Sequence, residues 1–236
     1  MTSSTSHRGS RAPSTSFGPL STVRYTVNGA DFDMVRVPPG RFVDGEGETR
    51  RELLVSWPFE LGVTPVTQAL WRAVMGSSPS SFQGEDRPVE HISWDDVQQL
   101  MVALANRGLP GFRLPTSAEW AWSARCGAPT GWAGADRPKA VAVVAAKQTA
   151  AVAGLSGSVV GAFDVSGNVF EWVSDWYGRA PLAGVDAQGP VSGSARVDRG
   201  GSWAYVLRYA RVAVLLNDSP GSRYSYLGVR LARTAP

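Results

Sequence analysis

Cysteine is almost absent, with Cys126 alone among 236 residues. One cysteine excludes an intramolecular disulfide, and loop-rich secreted domains usually carry several, so a reducing, cytoplasmic setting is expected. Histidine is nearly as scarce: only His7 and His91 occur. His91 would be the sole base for a hydrolase triad, and no serine sits in the strand–turn–helix context of a nucleophile elbow. Long apolar runs are missing too. None approaches membrane-spanning length, and the first residues lack the apolar core of a secretory signal, so no membrane partner is expected. Nor is there a field of one sign. Arg8, Arg11 and Arg24 precede the first acidic residue, Asp31, and they account for the net charge of +3. Nucleic-acid binding needs a basic stripe, and none is present. Gly45-Glu46-Gly47-Glu48 is glycine-rich but acidic, the wrong sign to cradle phosphate.

What the chain does contain suits a core: 43% hydrophobic residues, nine tryptophans and 26 glycines, a loop-rich composition. Residues 1–20 are Ser, Thr, Arg, Gly and Pro with little to bury, so a flexible tail is expected over 1–24, followed by one domain over 25–236. "DMVRVPPGRFVDG" (33–45) alternates around Pro38-Pro39-Gly40 and reads as a hairpin. Three helices carry their own start signals. They are 66–76, ending at Gly76; 93–108, with Ser93 and Asp96 as a capping box; and 116–127, with Thr116 and Glu119, stopping at Gly127. Residues 128–160 show weak patterning. Short tryptophan-bearing strands follow at 168–178, 196–203 and 227–232. Helices early and irregular strands late give an α+β domain.

Several pieces recur together in one family. "MVRVPPGRFVDG", "VTPVTQALWRAVMG", "PSSFQGEDRPVEHISWDD", "RLPTSAEWAWSAR", "SGNVFEWVSDWYG", "RGGSW" and "LGVRLA" run collinearly from Met34 to Ala232. This set resembles the formylglycine-generating-enzyme, or sulfatase-modifying factor, family. The resemblance implies a variant of the C-type lectin fold. Trp120, Trp122, Trp172, Trp176 and Trp203 then serve as apolar anchors. Arg113, Glu119, Glu171, Arg199 and Arg230 are charges set among apolar residues, so they should pair where buried. The family's copper oxidases need a cysteine pair in the C-terminal segment, and its iron sulfoxide synthases need three histidines. This chain offers neither, so the resemblance implies a protein that is not an enzyme and requires no cofactor. A divergent enzyme with an unidentified cofactor is the alternative. Some members bind calcium at the turn matching "GNVFEW". Here Asn168 and Glu171 offer hard oxygen ligands, with a purely hydrogen-bonded turn as the competing reading.

The segment between "RGGSW" and "LGVRLA" is the distinctive part. Four of the six tyrosines fall there (Tyr205, Tyr209, Tyr224, Tyr226), mixed with Ser, Val and Leu. The family includes the variable proteins of diversity-generating retroelements, in which Asn AAC codons become NNC. Such codons never yield Lys, Glu, Gln, Met or Trp. The first 203 residues contain 29 of these five types and the last 33 contain none. Tyrosine with serine and small apolar residues also resembles an antibody paratope. The expected ligand surface, within about 204–226, is Ala204, Tyr205, Val206, Arg208, Tyr209, Val214, Leu216, Asn217, Asp218, Ser222, Tyr224, Ser225 and Tyr226. Its expected partner is a protein or another macromolecule. Trp203, Leu207, Ala210, Arg211, Ala213, Pro220, Arg223, Leu227, Gly228 and Arg230 are expected to be scaffold.

Overall fold

The computed structural model describes residues 20–126, 128, 130–133, 137–180 and 182–235. Nearly all of the expected tail lies outside them. Its last residues do not: Thr22, Val23 and Arg24 belong to the strand Thr22–Val27, whose Val23, Tyr25 and Val27 alternate toward the interior. The domain therefore begins before residue 25, and Arg24 pairs with Asp33 at 2.8 Å across the strand pair.

A five-stranded sheet orders Thr22–Val27, Ala30–Val37, Phe59–Gly62, Ala232–Thr234 and Phe112–Arg113, all neighbours antiparallel. A four-stranded sheet orders Leu215–Asp218, Arg196–Arg199, Phe170–Trp176 and Leu227–Val229, the last pair parallel. "LGVRLA" thus supplies strands to both sheets, and Arg230 sits at the crossing. Fully buried, Arg230 pairs with Glu171 at 2.7 Å and donates to the carbonyls of Gly62, Val63 and Phe163 at 2.9, 3.1 and 2.7 Å. Arg113 pairs with Glu119 at 2.7 Å, and Arg199 with Asp44 at 2.8 Å.

The expected hairpin at Pro38-Pro39-Gly40 does not form. Ala30–Val37 stays in the five-stranded sheet, whereas Gly40–Asp44 pairs with Arg51–Val55 in a separate sheet completed by Gly184–Val185. The two prolines lack N–H donors and make a corner between sheets instead. The Trp122 indole locks that corner, donating to the Pro38 carbonyl at 2.7 Å. Its ring lies so close over Gly40 that a Cβ there would collide with it.

The three helices form where their caps put them: α1 over Gln68–Met75, α2 over Trp94–Asn106 and α3 over Ser117–Arg125. Thr67, Ser93 and Thr116 accept from the first-turn amides of Leu70, Asp96 and Glu119. Helix α3 ends on Cys126 in left-handed backbone, φ 42°, one residue before Gly127, which lies outside the described residues. Leu70, Trp71 and Val74 of α1, with Val97, Leu100 and Leu104 of α2, pack against one face of the four-stranded sheet, on Phe170, Trp172, Leu227 and Val229. Helix α3 packs with Val173 and Val197 of the opposite face.

Candidate ligand-binding surface

The segment after Arg199 begins with a sharp reversal. Gly200 and Gly201 have φ of 98° and 76°, open to glycine at little cost. A Cβ on Gly201 would also meet the Ala210 backbone at 2.6 Å, so the turn lets the short helix Leu207–Ala210 lie directly on it. The chain then joins the sheet edge as Leu215–Asp218 and turns over the start of α2, where Trp94 N–H donates to the Pro220 carbonyl at 2.9 Å. It returns into the strand at Leu227.

Main-chain bonds hold this path. Ala146 and Ala145 donate to the carbonyls of Trp203 and Tyr205 at 2.8 and 2.9 Å. His91 and Phe170 donate to those of Tyr224 and Tyr226 at 3.0 and 2.8 Å. The Trp203 indole donates to the Ser225 carbonyl at 2.9 Å. None of these bonds depends on the side chain of an expected ligand-surface residue.

The tyrosine side chains meet each other. Tyr205 lies edge-on to Tyr209 and Tyr226, with centroids 5.3 Å apart in each case, and to Phe170 of the sheet at 5.2 Å. Tyr224 stacks on Tyr226. Arg208 lies over the Tyr209 ring at 4.8 Å. Burial, reinforced by the neighbouring Tyr205 hydroxyl, pushes the Tyr226 phenol well up from its ordinary value. This is a pre-packed aromatic ridge with one foot in the core and its outer edge in solvent.

None of the thirteen expected surface residues is buried. Ala204, Val206, Arg208, Asn217 and Tyr224 are exposed and the others half-buried. They do not all share one face. Opposed residues of an antiparallel pair share a face, so Leu216 and Asp218, opposite Asp198 and Arg196, lie on the tyrosine side. Asn217 is opposite Val197 and takes the other side, where Val214 lines a cleft of about 370 Å³ with Asp44, Asp175 and Arg199. Three of that cleft's ionic groups bond within the protein. Arg199 binds Asp44 and Ser117, and Asp175 accepts from the amides of Ser117 and Gly189 at 2.7 and 2.8 Å. Ser222 belongs to the turn over α2, its hydroxyl 3.0 Å from that of Ser219.

In the expected scaffold set, Ala210, Leu227, Gly228 and Arg230 are buried. Trp203 is only half-buried, its ring edge-on to Phe82 at 5.1 Å. Arg223 is exposed and pairs with Asp96 at 2.7 Å. Leu207, Arg211, Ala213 and Pro220 are half-buried like Trp203, so burial alone does not separate this set from the expected ligand surface.

The calcium expectation does not fit the residues. Asn168 accepts from Ala150 N–H at 3.0 Å and donates to its carbonyl at 3.2 Å. The Glu171 carboxylate accepts from the Trp120 indole at 2.7 Å and holds the Arg230 guanidinium, so a cation already occupies it. Among the described residues no group of three or more His, Cys, Asp or Glu is placed to hold a metal. Cys126 is buried at the end of α3, and burial pushes its thiol up to about 12, so it is not a ready nucleophile. His91 is exposed with φ 64°.

One residue of the tyrosine side escapes a reading of the sequence. Asp198 is 1% exposed, and its Oδ2 has no hydrogen-bond partner. Burial raises its carboxyl far above the usual carboxylate range, and the nearby Asp218 adds to the rise. Asp218, half-buried on the next strand, is also raised by burial. The adjacent Arg199 is not its partner. Strand alternation instead sends Arg199 to the opposite face, to Asp44.

The fold and this surface define a C-type-lectin-type domain of the kind built in formylglycine-generating enzymes. The chain belongs to the sulfatase-modifying factor enzyme 1-like family, whose model matches residues 25–235. It is 32% identical to the formylglycine-generating enzyme of Thermomonospora curvata over 195 residues, covering 71% of this chain and 62% of that protein. It is 34% identical to the Streptomyces coelicolor enzyme, covering 72% and 60%. The chain thus spans less than two thirds of the length of these relatives. Among solved structures it is similar to Treponema denticola variable protein 1, with TM-score 0.84, 30% identity and coverage of 91% of this chain and 99% of that one. PvdO from Pseudomonas aeruginosa shares the fold, with TM-score 0.79 and 20% identity. No helix among the described residues is long and apolar enough to cross a membrane.

Proposed function

We propose that the protein is a non-catalytic ligand-binding protein. It displays on this scaffold a diversified surface built around Tyr205, Tyr209, Tyr224 and Tyr226, in the manner of a retroelement variable protein. The observation that carries the proposal is the division of labour in the segment: main-chain atoms make the bonds that fix its path, while the tyrosine edges, Ala204 and Val206 face solvent. A segment held this way tolerates changes of side chain without losing its shape. Tyrosine supplies rigid amphipathic contact area at small entropic cost, which suits a surface that must bind whatever it meets. Val206, 52% exposed, is an expensive choice for solubility and a useful one for contact. The likeness to a variable protein supports the reading. The likeness to formylglycine-generating enzymes supports the family but not the oxidase, since residues 204–236 contain no cysteine.

Two measurements test this. The gene's codons at the ligand-surface positions should end in NNC, with a near-identical AAC-rich copy and a reverse-transcriptase gene close by. The purified protein, with or without copper, should leave a sulfatase-type cysteine peptide unconverted. Turnover of that peptide would overturn the proposal in favour of a divergent enzyme.

A further inference from the structure

The tyrosine ridge does not stand on an inert floor. Along the same sheet face, Asp198 lies opposite Leu216, which packs into the same apolar body as Tyr205, Tyr209 and Tyr226. Asp218 lies two residues further along, close enough to act electrostatically on both Asp198 and Tyr226. Among the described residues no arginine or lysine pairs with either carboxylate. Arg196, on the same face, is taken up between the Trp94 and Trp176 rings, 3.8 and 3.4 Å from their centroids, and donates to the Ser174 carbonyl at 2.6 Å. Arg208 lies over Tyr209 and hydrogen-bonds its hydroxyl at 3.1 Å. Arg223 is held by Asp96, and the nearby His91 is bound through its backbone.

A buried carboxylate without a partner is costly, and natural cores pair or neutralise such groups. Here a bound cation would stabilise the ionised form, and the Tyr226 phenol lies within electrostatic reach of Asp218. Two carboxylates fall short of a metal's ligand set, and among the described residues none completes one. An organic cation fits better. A guanidinium is planar, stacks on tyrosine and donates in a fork to carboxylates. The chain already houses four of its own guanidiniums against aromatic rings, at Arg196, Arg199, Arg208 and Arg233.

Resting on the ligand-surface reading, we infer that this surface takes a protein partner through an arginine side chain, whose guanidinium inserts beside Tyr226 onto Asp218 with Asp198 behind it. Asp218 makes the contact at the half-buried edge, and Asp198 stands behind it as a buried carboxyl whose ionised form a bound cation would stabilise.

The test is selection of displayed random peptides on the whole protein, followed by affinity measurements with synthetic peptides. Selected peptides should be enriched in arginine over the unselected library. Replacing that arginine by citrulline, which keeps the shape and removes the charge, should weaken binding about tenfold or more. Asp218→Asn should weaken the arginine peptide equally and leave the citrulline peptide unaffected. An unchanged thermal midpoint for Asp218→Asn separates this loss from misfolding, and Asp198→Asn gives a second route to the same coupling. Peptides that need Tyr224 and Tyr226 but show no arginine enrichment, or no citrulline effect, would overturn the arginine inference and leave the ligand surface standing. Failure to select any peptide whose binding is lost in Tyr224→Ser would overturn both.

Discussion

Tyr224 lies flat on Tyr226, ring centroids 4.9 Å apart and planes 9° from parallel, with the outer ring exposed and the inner one edge-on to Phe170. Two tyrosines two residues apart thus have different energetic roles. Tyr224→Ser removes an outer layer and should cost no more than about 1 kcal/mol. Tyr226→Ser opens the contact with Phe170 and Tyr205 and should cost about 2 kcal/mol or more. Urea unfolding of the two variants checks the order; equal losses would show that the ridge packs as one core element.

Arg230→Met should destabilise the domain by about 3–5 kcal/mol, because it strands the buried Glu171 carboxylate without its counter-ion. Adding Glu171→Gln should restore part of that loss, since the stranded charge is removed while an acceptor for the Trp120 indole remains. Equilibrium unfolding of the single and double variants measures it. A double variant less stable than the single one would mean Glu171 matters for something other than its charge.

Trp203→Ser should cost about 2–3 kcal/mol, less than emptying a fully buried tryptophan site. Trp203 is half-buried, and its loss forfeits the edge contact with Phe82 and the bond to the Ser225 carbonyl. Trp172→Ser, at a fully buried anchor, should cost more in the same assay. The reverse order would place Trp203 in the core.

Local signals in the sequence carried furthest where chemistry acts locally. The Ser93–Asp96 and Thr116–Glu119 boxes mark helix starts to the residue, because capping is settled within four positions. That Arg113, Glu119, Glu171, Arg199 and Arg230 would pair was legible, but not who pairs with whom. Pro38-Pro39-Gly40 was misread because a corner between two sheets and a hairpin share their turn residues. What distinguishes them is Trp122, 82 residues from Gly40, pressed against that glycine. The split of Val214 and Asn217 from the tyrosines follows from a strand register that residues 204–226 do not reveal by themselves. Asp198 carries no signal in the sequence: its burial without a partner follows from strand alternation, which puts it and Arg199 on opposite faces.

Asp198 also makes a prediction that needs no ligand. Its folded-state pKa is raised, chiefly by burial, above the ordinary carboxylate value near 4 that it regains on unfolding. Below pH about 4 the carboxyl is protonated in both states and carries no penalty. As the pH rises from there, the unfolded chain releases its proton before the folded one does, so the folded state loses stability until the pH passes its own raised pKa. Above that point the loss is constant. Asp218, raised by burial, titrates in the same direction, and its charge adds to the rise at Asp198. Asp198→Asn removes the titrating group while nearly keeping its shape. The variant should therefore gain stability relative to the natural protein as the pH rises from about 4 to 7, because it carries no charge to bury. Its advantage should shrink steadily toward pH 4. Urea midpoints for both proteins across that range measure the gap. A gap that stayed constant with pH would show that Asp198 has the same pKa in both states, and the uncompensated carboxylate beneath the tyrosine ridge would not exist.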